Sequence, residues 1–246
     1  MSLWRVEWLR LWRTRTVWIL FGVFVFFGLL GPATARFLPE IMESAGLGGE
    51  LALPPPSPEL AMSQYLSNAL QIGLLAIAFI AASSLAFDSK PEVAVFYRTR
   101  ATIVEILIPR YVVVTVAAIS AFLAGTTTAF ALSMVLLGTP DVPATLVGSA
   151  LIAMYIVFAV ALVGLMASLI PSVPGAALLT IGILIILGIA GLIPYLGPWL
   201  PSYLVGGFDT LIAGGEFDYW RSILVTTIAS AAAIWTSVIL MQRREV

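Results

Sequence analysis

The chain has 246 residues, 61% of them apolar and 10% charged, with a formal net charge of −1 and a mean hydropathy of +1.06. Soluble domains run about half apolar and a quarter charged, so this composition excludes a water-soluble globule, and no basic excess points to nucleic acid. Cysteine and histidine are absent, which removes disulfides, thiolate chemistry, the usual zinc sites and histidine proton relays. Several apolar runs exceed the ~18 residues expected of a spanning helix, and the fold class read from them is an all-α polytopic membrane protein.

The chain opens on MSLWRVEWLRLWRTR. At 100° per residue Trp4, Trp8, Leu11 and Trp12 share one face, with Arg10 and Arg13 opposite. Tryptophan prefers the headgroup level and arginine reaches phosphates, so residues 1–16 read as an interfacial helix ahead of the first span. The plainer alternative is a first span with basic flanks and no separate helix. The arginines, the apolar run and the ATA at 33–35 also imitate a secretory signal, but the charged region is long and tryptophan-rich, so the segment is expected to stay on the chain.

Six spans follow, at about 17–35, 66–87, 111–137, 146–170, 175–196 and 223–241, within a single transmembrane domain covering 1–246. The basic residues set their orientation. With the N-terminus cytoplasmic, the inner segments hold Arg5, Arg10, Arg13, Arg15, Lys90, Arg98, Arg100, Arg110, Arg243 and Arg244, and the outer ones only Arg36 and Arg221. Both termini are therefore expected in the cytoplasm, in a multi-pass protein of the cell membrane.

Between the first two spans, 36–65 is the longest polar region, stiffened by LALPPPSPEL and expected outside the membrane. Gln64, Asn68 and Gln71 then recur at i, i+4 and i+7 on the second span. Neutral amides in a membrane helix either bond neighbouring helices or line a polar path, and the spacing does not separate the two. Residues 88–110 form a basic cytoplasmic segment. Between the fifth and sixth spans, GLIPYLGPWLPSYLVGGFDTLIAGGEFDYW is too apolar for an ordinary loop, yet its prolines and Gly-Gly pairs forbid one continuous helix. Broken apolar segments survive at membrane depth only when protein or a wet cavity covers their backbone. A re-entrant apolar hairpin of two short helices meets that condition; a loop resting on the bilayer is the alternative.

The spans carry essentially no ionisable side chains, which argues against an ion-coupled carrier and against an intramembrane enzyme. Serines such as Ser83, Ser84, Ser120 and Ser133 have no histidine or lysine beside them and read as helix-packing hydroxyls. No G-x-x-x-x-G-K-[ST] loop occurs, Lys90 being the only lysine, so any ATP-driven work needs another chain. No metal site and no catalytic residue is expected here.

Taken together these features resemble the six-span membrane subunits of ABC type-2 exporters. The likeness covers the full length. Members often carry a small cytoplasmic helix, a Pro-[SV]-[ST]-Arg turn, an aliphatic pair and a basic residue entering the third span. In FYRTRATIVEILIPR, Thr99-Arg100 stands at the Ser/Thr-Arg position, Ile106-Leu107 at the aliphatic pair and Arg110 at the final basic residue. The proline before that turn is missing, and Pro91-Glu92 replaces an acidic Glu-Gly-Thr lead. The resemblance implies a permease that exports an amphipathic or lipophilic substrate, paired with a second copy or a homologous permease. It also implies two separate ATPase subunits that carry ATP and Mg, and a substrate path lined by the first, second and fifth spans. Pro91–Arg100 would then be the coupling helix. Proline suits its first turn, Glu92 its N-terminus, and Arg98 and Arg100 its other end, while Phe96 and Tyr97 anchor the ATPase. The bland reading of the same charges is a cytoplasmic-side anchor. A membrane scaffold or assembly protein is the alternative function.

Overall fold

A computed structural model describes residues 3–44, 55–86 and 101–243. The chain within them is helical throughout, with eight α-helices and no strand among the described residues. An amphipathic helix α1 (Leu3–Arg13) leads into α2 (Thr16–Ser44). Then follow α3 (Pro58–Leu85), α4 (Ile103–Leu136), α5 (Val142–Leu169) and α6 (Val173–Ala190). A 3-10 turn at Gly197–Trp199, a short helix α7 (Tyr203–Ile212) and α8 (Trp220–Arg243) complete the chain. Six of these helices, α2 to α6 and α8, are long and apolar enough to cross a membrane. Even the shortest, α6 with 18 residues, reaches about 27 Å at 1.5 Å per residue, close to the ~30 Å of bilayer hydrocarbon.

Local signals explain most of the helix starts, and several boundaries lie away from where hydropathy put them. Ser57 caps α3, its hydroxyl accepting from Leu60 N at 3.2 Å, and Pro58 takes the first helical position. The helix thus begins eight residues before the expected Leu66, with Pro-Glu-Leu-Ala-Met-Ser-Gln-Tyr as its first two turns. On α4, Thr102 and Glu105 form a reciprocal capping box: Thr102 N donates to Glu105 Oε2 at 2.9 Å, and Glu105 N to Thr102 Oγ1 at 3.4 Å. Residues 103–110, expected in the cytoplasmic segment, are therefore the opening turns of a 34-residue helix. At the far end of α2 the helix continues past Ala35 to Ser44, through Pro32 and Pro39. Membrane helices tolerate such prolines because neighbouring groups re-satisfy the freed backbone. Asp141 and Ser172 cap α5 and α6, each with a proline at the first or second helical position.

Glycines set the closest crossings. A Cβ added at Gly28 would lie 2.5 Å from the Gly125 carbonyl oxygen, and one at Gly125 would lie 2.6 Å from that of Phe24. The backbones of α2 and α4 thus touch, as small residues permit where no water drives helices together. Tyr65 of α3 enters the same crossing and donates to the Phe122 carbonyl at 3.0 Å. On the other side of the bundle, Gly164 of α5 makes room for the Tyr111 hydroxyl, which pairs with Ser237 of α8 at 2.8 Å. Helix α5 is the central one, with 72% of its span buried against 22% for α6. The outward faces of α6 and α8 are apolar and exposed, at Ile186 and Trp235 for example.

The segment between α6 and α8 differs from the expected pair of short helices. It holds a three-residue 3-10 turn and one ten-residue helix. Leu204, Gly207 and Phe208 of α7 are buried, and Phe208 lies where a Cβ on Gly148 of α5 would come within 2.7 Å. Hydroxyls cover the freed carbonyls: Ser202 donates to Leu187 O at 2.8 Å, and Ser222 to Leu200 O at 2.6 Å.

Candidate functional site

Two constructions stand out, one in the half of the bundle that holds α7 and one where α1 meets α3 and α4. One is an apolar cavity of about 590 Å³ bounded by α3, α6, the first turns of α7 with the residues leading into it, and Tyr155 of α5. Leu70, Leu74 and Leu75 form one wall, and Ile181, Leu184 and Ile185 face them. Gly188, Gly191 and Gly206 remove side chains from the rim. No charged side chain lines it. The polar groups are the Gln71 amide, the hydroxyls of Tyr155 and Tyr203, and Ser202, which is committed to Leu187 O. A cavity of this size, mostly apolar with a few polar groups, suits a small lipophilic molecule that carries one or two hydrogen-bonding groups.

The three amides of α3 have separate fates. Gln64 is part of a helix contact, its Oε1 accepting from Thr34 Oγ1 of α2 at 2.6 Å. Asn68 turns back on its own helix, Nδ2 donating to the Gln64 carbonyl at 2.9 Å. Gln71 is exposed and borders the cavity. The cavity therefore gathers one residue of the expected path and not the row. Close by, Asp209 of α7 takes a hydrogen bond from Ser63 of α3, while desolvation, the larger influence, pushes its carboxyl above the usual range.

The other construction is a buried ionic cluster where α1 meets the ends of α3 and α4. Arg110 Nε donates to Glu7 Oε1 at 2.9 Å, and its Nη1 donates to the Ser84 carbonyl at 3.1 Å. Arg10 lies 3.1 Å from the other Glu7 oxygen and also bonds Ser84 Oγ. Glu7 is 3% exposed and Arg110 2%. Leu11 is buried beside them, while Trp4, Trp8 and Trp12 face outward with Arg13. Arg10, expected opposite the tryptophans and free to reach phosphates, instead directs its guanidinium into the protein. Ser84 is more than a packing hydroxyl, since both its oxygens accept from arginines.

Sequence reasoning placed Arg110 at the mouth of the third span but missed Glu7, and a signal for it was present. Glu7 is the one acid among the first fifteen residues. It stands three residues after Trp4 and four before Leu11, on the apolar flank, where an unpaired carboxylate would be costly. The coupling residues Pro91, Glu92, Phe96, Tyr97, Arg98 and Arg100 lie outside the described residues. Comparison with protein-family models, curated proteins and solved structures finds no match to this chain.

Proposed function

We propose that this chain is the membrane-spanning permease subunit of an ABC-type exporter, working with separate ATPase subunits and a second permease. The likeness of FYRTRATIVEILIPR to the family's turn, at the mouth of the third of six spans, carries the reading. The cavity supports it by offering a lipophilic substrate a place between the second and fifth spans. In this reading α1 lies in the inner interface with its tryptophans at headgroup level, both termini are cytoplasmic, and the segment holding α7 dips into the outer leaflet. Orientation has a direct test because the chain has no native cysteine. Cysteines at Glu50 and Asp141 should react with an impermeant thiol reagent in intact cells, and one at Ser89 should not. Labelling at Ser89 alone would overturn it.

Residues 91–100 are assigned to the ATPase contact. An exposed ion pair contributes about 0–1 kcal/mol, whereas burying an aromatic contributes roughly 1.5–3 kcal/mol, so Phe96 anchors and Arg98 and Arg100 orient. The deciding experiment is co-purification of the chain with an ATP-binding subunit, measured alongside transport per ATP hydrolysed. Phe96→Ala should weaken capture, and Arg100→Ala should leave capture intact but lower transport per ATP. If both variants behave as wild type, the segment is only a basic anchor. If the wild-type chain captures no ATPase, the scaffold reading takes its place.

A further inference from the structure

Three tyrosines of the spanning helices are almost wholly buried, and one differs from the others. Tyr65 donates to the Phe122 carbonyl at 3.0 Å, and Tyr111 pairs with Ser237 Oγ at 2.8 Å. Tyr155 is 4% exposed, yet its hydroxyl has no hydrogen-bond partner among the described residues. A buried tyrosine ordinarily finds a partner for its O–H, so the exception calls for one. Among the described residues, the fully enclosed side-chain oxygens without a partner are those of Ser133 and Thr226. The Tyr155 oxygen is not one of them, so it borders open space, and the open space that Tyr155 lines is the cavity. Its ring packs against Phe158, with centroids 6.4 Å apart, on the most buried of the six spans. The hydroxyl is thus set in place before a guest arrives.

The walls limit what that guest can be. No charged side chain lines them, so an ionic guest would lose its hydration without compensation. For the same reason a phospholipid finds nothing here to meet its phosphate. A volume of about 590 Å³ is that of a small-molecule site. We infer that the cavity binds a small neutral lipophile carrying a carbonyl oxygen, and that Tyr155 is its specificity residue, donating its O–H to that oxygen. That the bound lipophile is cargo rests on the permease reading, whereas binding is a property of the chain alone.

The test uses the full chain in nanodiscs of phosphatidylcholine and two probes of like shape. Benzophenone carries the carbonyl, and under light its ketone couples to neighbouring C–H bonds. Diphenylmethane lacks the oxygen, and its Kd is read by competition. Adducts located by mass spectrometry should fall on the walls, at Leu74 and Leu184 for example. Tyr155→Phe should weaken benzophenone about tenfold, the worth of one hydrogen bond, and leave the Kd of diphenylmethane unchanged. It should also keep the melting temperature, because no bond within the protein is lost, whereas Tyr111→Phe should lower it. Gly188→Leu fills the cavity from a position where an added Cβ meets no atom within 4 Å, and should abolish wall labelling. The inference is overturned if adducts avoid the walls, if Gly188→Leu still labels them, or if Tyr155→Phe spares benzophenone or weakens both probes alike. A melting temperature that falls in Tyr155→Phe as in Tyr111→Phe also overturns it, since the hydroxyl would then have a partner in the protein. A wild-type chain that captures no ATPase, yet shows the tenfold loss confined to benzophenone, keeps this site and removes the permease reading.

Discussion

The two ends of this bundle are held in opposite ways. Where α1 meets α3 and α4, a carboxylate and two arginines are packed together, with Glu7 and Arg110 almost wholly buried. At the other end α7 and its flanking turns are held by the buried Leu204 and Phe208 and by single hydrogen bonds from Ser202, Ser222 and Ser63, beside an apolar cavity. Charges in a desolvated site tolerate few geometries, because displacing one leaves the others uncompensated. Neutral hydroxyl bonds in membrane proteins contribute far less, about 0.6 kcal/mol on average. The contrast gives one end that resists rearrangement and another that can shift around a guest at small cost.

The largest effects should come from breaking the firm end, and they should be unequal. Glu7→Ala deprives Arg10 and Arg110 of the carboxylate they share and should cost about 3–5 kcal/mol, the range for removing one partner of a buried pair. Arg110→Ala also removes the bond to the Ser84 carbonyl but leaves Glu7 with Arg10 still 3.1 Å away, so its cost should sit at the lower end of that range, about 3 kcal/mol. Unfolding of each variant in detergent, followed by the exposure of a buried reporter cysteine, measures the order. Equal losses would mean that Arg10 does not compensate the carboxylate once Arg110 is gone.

How much of this was legible in the sequence depends on whether a signal was local. Six spans follow from apolar length alone. Helix starts were also legible, in Ser57-Pro58, in the Thr102–Glu105 box and in Asp141 and Ser172, although hydropathy windows overrode the first two and placed those starts eight residues late. A window averages over polar first turns, while a cap acts on a single residue. The cavity was not legible. It depends on how α3, α6 and α7 approach one another, and glycines such as Gly188 and Gly206 carry no hint of which wall they open. The ionic cluster was half legible, since its members lie 103 residues apart in sequence. Periodicity showed α1 to be amphipathic, but not that Glu7 would find Arg110.

The amides of α3 sharpen the comparison at its yielding end, where three residues alike in sequence should give three different results. Gln64→Leu breaks the bond from Thr34 and should cost about 0.6–2 kcal/mol, as interhelical hydrogen bonds in membranes do. Asn68→Leu gives up a bond to its own helix that leaves no neighbouring side chain unpaired, so its effect on stability should be near zero. Gln71→Leu should also leave stability almost unchanged, because its amide is exposed. It alone should alter function, since it removes one of the few polar groups from a cavity walled mainly by apolar side chains. The readout is ATP hydrolysis by the assembled complex over a series of lipophilic compounds, with thermal stability measured on the same preparations. A change in compound preference confined to Gln71→Leu would mark this cavity as the path. If Gln64→Leu alone changed preference while Gln71→Leu did not, the path would run along the α2–α3 contact, and the cavity beside α6 would be a lipid-facing groove without a part in selection.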